Sequence, residues 1–221
     1  MHRLRPQPDK RLAFLQGFLR YPHLVGSVIP SSRFLERRLI ESSAVNEARL
    51  VVELGPGTGG TTRAIMRTLP KDSLLLAIEI NPKFASLLES EADPRLIVYR
   101  GSAEHIGDAL ASHGLSGPDV IVSGIPFSTM PLSLGRQIVS SLWDSLAPRG
   151  RFVAYQFRDR VASLGRELLG DPQVDVELLN VPPMRFYRWD KPANPVRHGI
   201  NGKKHNGGKL NGKNGSMASN F

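Results

Sequence analysis

From residue 50 onward short apolar runs alternate with stretches of helical spacing, and that rhythm narrows the possible folds more than any other feature. "LVVEL" (50–54), "LLLAIEI" (74–80), "RLIVYR" (95–100), "DVIVSG" (119–124) and "RFVAYQF" (151–157) read as buried strands. Helical patterns lie between them: about Gly60 to Leu69, Pro82 to Glu91, a short one after Ser102, Leu132 to Leu146 and Val161 to Leu169. Strands joined by helices of ~10 residues predict a parallel sheet with helices on both faces. The rhythm then breaks. "VDVELLNV" (174–181) and "RFYRW" (185–189) are separated only by "PPM", too short for a parallel crossover, so they should pair as an antiparallel hairpin at the sheet edge.

The flanks differ from this body in charge. The formal net charge is +9, yet residues 39–194 hold 16 basic and 18 acidic side chains. Residues 1–38 carry eight basic and two acidic groups, and residues 195–221 five basic and no acidic ones. Basic ends on a near-neutral body suit an anionic surface, either lipid headgroups or nucleic acid. In "DKRLAFLQGFLR" (9–20), Leu12, Phe14, Leu15, Phe18 and Leu19 gather on one helical arc. Such a helix either covers a core or lies in a membrane interface. A second helix, "RFLERRLI" (33–40), follows serines able to cap it. The Gly/Asn/Lys-rich end from residue 199 has little to bury and is expected to be disordered. No cysteine is present, which excludes disulfides and thiolate metal sites. The longest apolar run, "LLLAI" (74–78), cannot span a bilayer, and no signal peptide is read at the N-terminus.

The first strand runs into "ELGPGTGGTTRAI" (53–65), where Gly55, Gly57 and Gly60 fit the spacing G-x-G-x-x-G. Glycines here let a ligand approach the backbone at the carboxyl end of the strand, a need shared by nucleotide and S-adenosylmethionine folds. Glu79, 19 residues past Gly60, would hold ribose hydroxyls in either fold. Glu53 discriminates better. A carboxylate at the mouth of the loop would repel a pyrophosphate and suit a ligand with an ammonium and a sulfonium. The histidines show no metal spacing, and no metal is inferred.

Over about residues 46–190 the chain resembles the class I S-adenosylmethionine-dependent methyltransferases, through "ELGPGTG", "IEINP", "GSAEH" and "LAPRGRFV" in that order. The resemblance implies a Rossmann-like α/β fold with a seven-stranded sheet, a C-terminal antiparallel hairpin and preceding N-terminal helices. "YPHLVGSVIPSSRFLERRLI" (21–40), "VSGIPFSTMP" (122–131) and "NVPPMRFYRW" (180–189) are most similar to segments of the bacterial phospholipid N-methyltransferases. That likeness implies methylation of phosphatidylethanolamine toward phosphatidylcholine by a cytoplasmic enzyme, peripheral on the inner face of the cell membrane. It divides the chain into a membrane-binding segment (1–44), a methyltransferase domain (45–192) and a basic tail (193–221). It also implies S-adenosyl-L-methionine as cofactor, with S-adenosyl-L-homocysteine as product. Glu53, Gly55 and Gly57 would line the methionine end, Glu79 and Ile80 the ribose, and Ser102, Ala103 or Glu104 the adenine, with Ser123 nearby.

"SGIPF" (123–127) follows the fourth strand, where the acceptor amine meets the methyl group. The ribosomal RNA adenine dimethyltransferases, similar over the same core, carry an asparagine two residues before the proline to hold the adenine amine. Gly124 stands there instead, and the body is slightly acidic; both count against a nucleic-acid acceptor. Gly124, Ile125, Pro126, Phe127, Tyr21, Arg185 and Arg188 are therefore expected to bind substrate. An ammonium must lose a proton before it can attack a methyl group. Tyr187, Tyr155 and His23 are the candidate acceptors of that proton. Alternation puts Arg185, Tyr187 and Trp189 on one face of the last strand, Phe186 and Arg188 on the other, with one face expected in the core and one in solvent. An NAD-dependent oxidoreductase remains the reading outside the methyltransferases.

Overall fold

The computed structural model describes residues 32–180 and 182–193. The predicted helix over 9–20, the candidates Tyr21 and His23 and the basic tail lie outside the described residues. Chain order is α1 (Arg33–Ser43), β1 (Leu50–Leu54), α2 (Gly60–Thr68), β2 (Leu74–Glu79), α3 (Pro82–Glu89), β3 (Leu96–Arg100), α4 (Ile106–Ser112), β4 (Val120–Ser123), α5 (Leu132–Ser145), β5 (Arg151–Gln156), α6 (Arg160–Leu168), β6 (Gln173–Glu177) and β7 (Met184–Asp190). The strands form one seven-stranded sheet in the order β3-β2-β1-β4-β5-β7-β6. β1 pairs in parallel with β2 and β4, and β4 with β5. β7 runs antiparallel between β5 and β6, as the short "PPM" connection requires.

β1, β2 and β4 are almost fully buried, which explains their unbroken Val/Ile/Leu runs. Side chains alternate between two cores. One holds Val52, Leu54, Ile121, Phe152, Tyr187 and Trp189 beneath α4, α5 and α6. The other holds Val51, Val122, Val153 and Phe186 with Leu35 and Leu39 of α1 and Ile65 of α2. Helix α1 is capped by Ser32, whose hydroxyl accepts from the Leu35 amide at 3.1 Å.

Three expectations change. Since Leu35 and Leu39 are buried against the sheet, α1 belongs to the α/β body, and the boundary expected at residue 44 moves ahead of Arg33. β7 is covered on both faces, because α1 shields the Phe186 side while α6 shields Tyr187 and Trp189. Strand β6 ends at Glu177, four residues early, where its carboxylate accepts the Leu179 amide at 2.9 Å and turns the chain.

Candidate active site

The parallel strands β1, β2, β3 and β4 deliver their following loops to one edge of the sheet. Each loop is tied to its neighbour where it begins: the Gly55 amide donates to Ile78 O, Gly101 to Glu79 O and Gly124 to Leu54 O, at 3.0, 3.1 and 3.0 Å. Gly55, Ile78, Ile80, Gly101, Ser102, Ala103 and Ile125 line a narrow slot there, closed by Met130 and Ile138. Five of the expected residues, Gly55, Ile80, Ser102, Ala103 and Ile125, thus meet at one place. A wider groove runs along α2 from Thr62 to Lys71, away from these loops, and its Arg63 and Arg95 are paired with Glu91 and Asp93.

The glycine loop works differently from its apparent spacing. Its left-handed residues are Gly55, Gly57 and Gly59, with φ of 68°, 58° and 81°, whereas Gly60 is already the first residue of α2. At Gly55 a side chain is excluded twice, by the positive φ and because a Cβ would lie 2.8 Å from Cγ2 of Ile125. Glu79 closes the loop from the side. Its carboxylate accepts the Gly57 amide at 3.0 Å and the Asn81 amide at 2.7 Å. Burial raises the Glu79 pKa, and those amide donors oppose the shift.

Glu53 is not at the mouth of the loop but beneath it, wholly buried. The Thr61 and Thr62 hydroxyls at the start of α2 donate to its two carboxylate oxygens, Thr62 at 2.7 Å. Burial pushes its pKa up to about 7, the two hydroxyls pull it down, and Glu79 nearby raises it further. In this arrangement Glu53 fastens the loop to α2 instead of presenting a free carboxylate to a ligand. "GTT" (60–62) carried the signal for those partners, since hydroxyls in the first turn of a helix can reach back under its loop.

The acceptor loop after β4 sits on Tyr155. A Cβ at Gly124 would run into the Tyr155 hydroxyl and lie 2.8 Å from its ring carbon. The Ile125 carbonyl accepts from Nε2 of the buried Gln156 at 2.8 Å, a tether that sequence reasoning missed. Phe127 is fully buried in the core and anchors the loop instead of facing a substrate. The buried Ser123 hydroxyl has no hydrogen-bond partner among the described residues. Glu104 holds its carboxylate 3.7 Å from Nε2 of His105.

Several expected roles change on chemical grounds. Burial raises the Tyr155 phenol well above its ordinary value, with the Glu53 carboxylate adding to the shift. Burial likewise raises that of Tyr187, which packs among core residues with its ring 6.3 Å from that of Trp189. Both stay protonated near neutral pH, so neither can take a proton from an ammonium; a phenol can still orient an amine by hydrogen bonding. Arg185 pairs in register with Gln156 at the loop edge of the sheet. Arg188 lies opposite Val153, roughly 10 Å further along the strand. Its Nε is 3.7 Å from Asp190, so Arg188 is a structural charge remote from the site.

The sheet order, the glycine loop and the carboxylate ending β2 define a class I S-adenosylmethionine-dependent methyltransferase. The N-methyltransferase NodS from Bradyrhizobium japonicum WM9, in complex with S-adenosyl-L-homocysteine, superimposes with a TM-score of 0.62 at 14% identity, over 83% of this chain and 100% of that one. No protein-family model matches the chain. Ornithine lipid N-methyltransferase from Singulisphaera acidiphila is 33% identical over 141 residues, 63% of this chain and 73% of the relative. The chain belongs to the family of that lipid N-methyltransferase. Ribosomal RNA small subunit methyltransferase A from Caulobacter vibrioides is 36% identical over 96 residues, 42% of this chain and only 34% of the relative.

Proposed function

We propose that the protein methylates the headgroup amine of phosphatidylethanolamine and of its mono- and dimethyl forms toward phosphatidylcholine, working peripherally on the inner face of the cell membrane. The observation that carries this reading is the contact between Gly124 and Tyr155. Where the RNA enzymes place an asparagine side chain, this loop leaves no room for one, and a phenol lies under it instead. A small aliphatic amine needs no planar amide clamp, and an aromatic floor suits a headgroup that becomes a fixed cation as methyls accumulate. Kinship with a lipid N-methyltransferase supports the same class of acceptor. Arg158 and Arg185, near the loop edge and without a carboxylate partner among the described residues, favour an acceptor that carries a phosphate.

The donor we assign is S-adenosyl-L-methionine, which supplies an electrophilic methyl on a sulfonium. The residues present fit it. Gly55 allows close approach, Glu79 offers carboxylate oxygens for ribose hydroxyls, Ser102 and Ala103 wall the slot where adenine would lie, and the unpartnered Ser123 hydroxyl lies at the end of β4 beside it. In-line attack demands positioning above all. The Gln156 tether on Ile125 fixes the acceptor loop, and the neutral Tyr155 phenol orients the amine lone pair.

The test is transfer of labelled methyl groups to phosphatidylethanolamine, ornithine lipid and small-subunit ribosomal RNA, with products resolved by chromatography. Mono-, di- and trimethylated phosphatidylethanolamine are expected. Label in ornithine lipid alone would move the acceptor within the lipid class, and label only in RNA would overturn the reading.

A further inference from the structure

Among the described residues the two most exposed large apolar side chains are neighbours, Leu178 at 73% and Leu179 at 65%. They lie on the turn between β6 and β7. Register places that turn relative to the site: Glu177 pairs with Met184, and Arg185 pairs with Gln156 at the end of β5. The turn therefore projects from the same edge of the sheet as the glycine loop and the acceptor loop. Phe157, the first residue past β5, is exposed there too. Val174 and Val176 continue the apolar stripe along β6 on the face that Leu178 extends.

The turn is built, not slack. Asn180 is buried, donates to Pro182 O at 2.8 Å and accepts from the Ser32 hydroxyl at 2.8 Å. Glu177 accepts the Leu179 amide and lies 3.5 Å from Nε of Arg38. Buried polar groups thus hold a turn whose leucines stay largely exposed among the described residues. Arg33, Arg158 and Arg185 surround it, none with a carboxylate partner among the described residues, and Arg185 donates to Phe157 O at 3.2 Å. The exposed acids nearby are Asp159 and Asp175, fewer than the arginines.

From this placement we infer that the β6–β7 turn is a membrane-docking element: Leu178, Leu179 and Phe157 enter the interface of an anionic bilayer while Arg33, Arg158 and Arg185 meet its headgroups. This rests on the lipid acceptor proposed above, and it puts the mouth of the site against the surface from which a lipid amine must be drawn. Excess positive charge around an apolar tip favours an anionic lipid surface over a second copy of this chain, which would bring the same arginines face to face.

Since the chain has no cysteine, Leu178→Cys in the full-length protein gives a single attachment point for a polarity-sensitive fluorophore. Leu87→Cys, on α3 beside the β2–β3 side of the sheet and also exposed, is the control. With vesicles containing about one third phosphatidylglycerol, the probe at 178 should blue-shift and brighten severalfold, and brominated lipid should quench it, while the control stays unchanged. Leu178→Ser with Leu179→Ser should weaken vesicle partition at least tenfold and leave S-adenosylhomocysteine affinity unchanged. Equal responses from both probes would overturn the inference. So would a silent probe together with sedimentation showing that the serine pair dissolves a dimer. A protein that inserts Leu178 but methylates no amine lipid would sink the proposed function and leave the docking element standing. One that methylates micellar lipid with a silent probe would do the reverse.

Discussion

At the scale of single residues, two contacts give the site its character, and each makes a prediction. Glu53 has a folded pKa of about 7 against 4.5 for an unperturbed carboxylate. Between those values the folded protein holds a proton that the unfolded chain has lost, so stability falls as pH rises through the window and levels off above it. The full difference is of order 3 kcal/mol at about 1.4 kcal/mol per pH unit. Glu53→Gln removes the ionisation, so its melting temperature should exceed the wild type's near pH 8 and lose that advantage near pH 5. A difference between the two that ignores pH would show that another group titrates. Gly124 and Tyr155 form the second contact. Gly124→Ala should cost about 1–3 kcal/mol by overpacking. Tyr155→Val should relieve much of that cost, a coupling that a double-mutant cycle in denaturant would reveal. Simple additivity would mean the loop moves aside. The placement of Gly55, Gly57 and Glu79 at one edge of the sheet was legible from residue type and spacing, whereas Phe127 of "SGIPF" went into the core. The burial of Glu53 was not legible, because a carboxylate one position before a strand's end reads the same whether it faces solvent or a pair of threonine hydroxyls.

At the scale of elements, the strands were legible to within a residue or two because burial on both faces leaves uninterrupted apolar runs, and β6 was the exception. Its apolar pattern runs on through Leu178 and Leu179, but the Glu177 and Asn180 hydrogen bonds end the strand, and no periodicity signals side-chain to backbone bonds. Helix α1 misled in the other direction. Its three arginines over 33–38 and 11-residue length suggest a surface segment, yet Leu39 is completely buried against the sheet. Identical residue types therefore carry opposite expectations. Leu39→Ala should cost about 2–5 kcal/mol, as cavity-forming changes in a core do. Leu178→Ser should change stability by no more than about 0.5 kcal/mol, since the side chain already meets water. Urea unfolding of the two variants decides both points, and a mild Leu39→Ala would return α1 to the periphery.

At the scale of the whole molecule, charge and topology assign separate tasks to separate regions. The near-neutral body carries the slot, which has apolar walls and the buried Glu79 carboxylate, with its amide donors, beside it. The excess positive charge lies outside residues 39–194, and within the body the unpartnered Arg158 and Arg185 stand at the loop edge. Among the described residues no helix is long and apolar enough to cross a membrane. Attraction between exposed arginines and anionic headgroups acts across water and is screened by salt, whereas contacts inside the slot are not. Raising ionic strength from about 0.1 M to about 1 M shortens the Debye length from roughly 10 Å to roughly 3 Å. Over that range, partition to phosphatidylglycerol-containing vesicles should fall by at least tenfold, while the affinity for S-adenosylhomocysteine stays within about twofold. Vesicle flotation and calorimetry measure the two quantities on one preparation. If both fell together, the basic surface would extend into the slot and the division of labour would be lost. If neither fell, docking would rest on the leucine turn alone, and the arginines would be ordinary solvated charges.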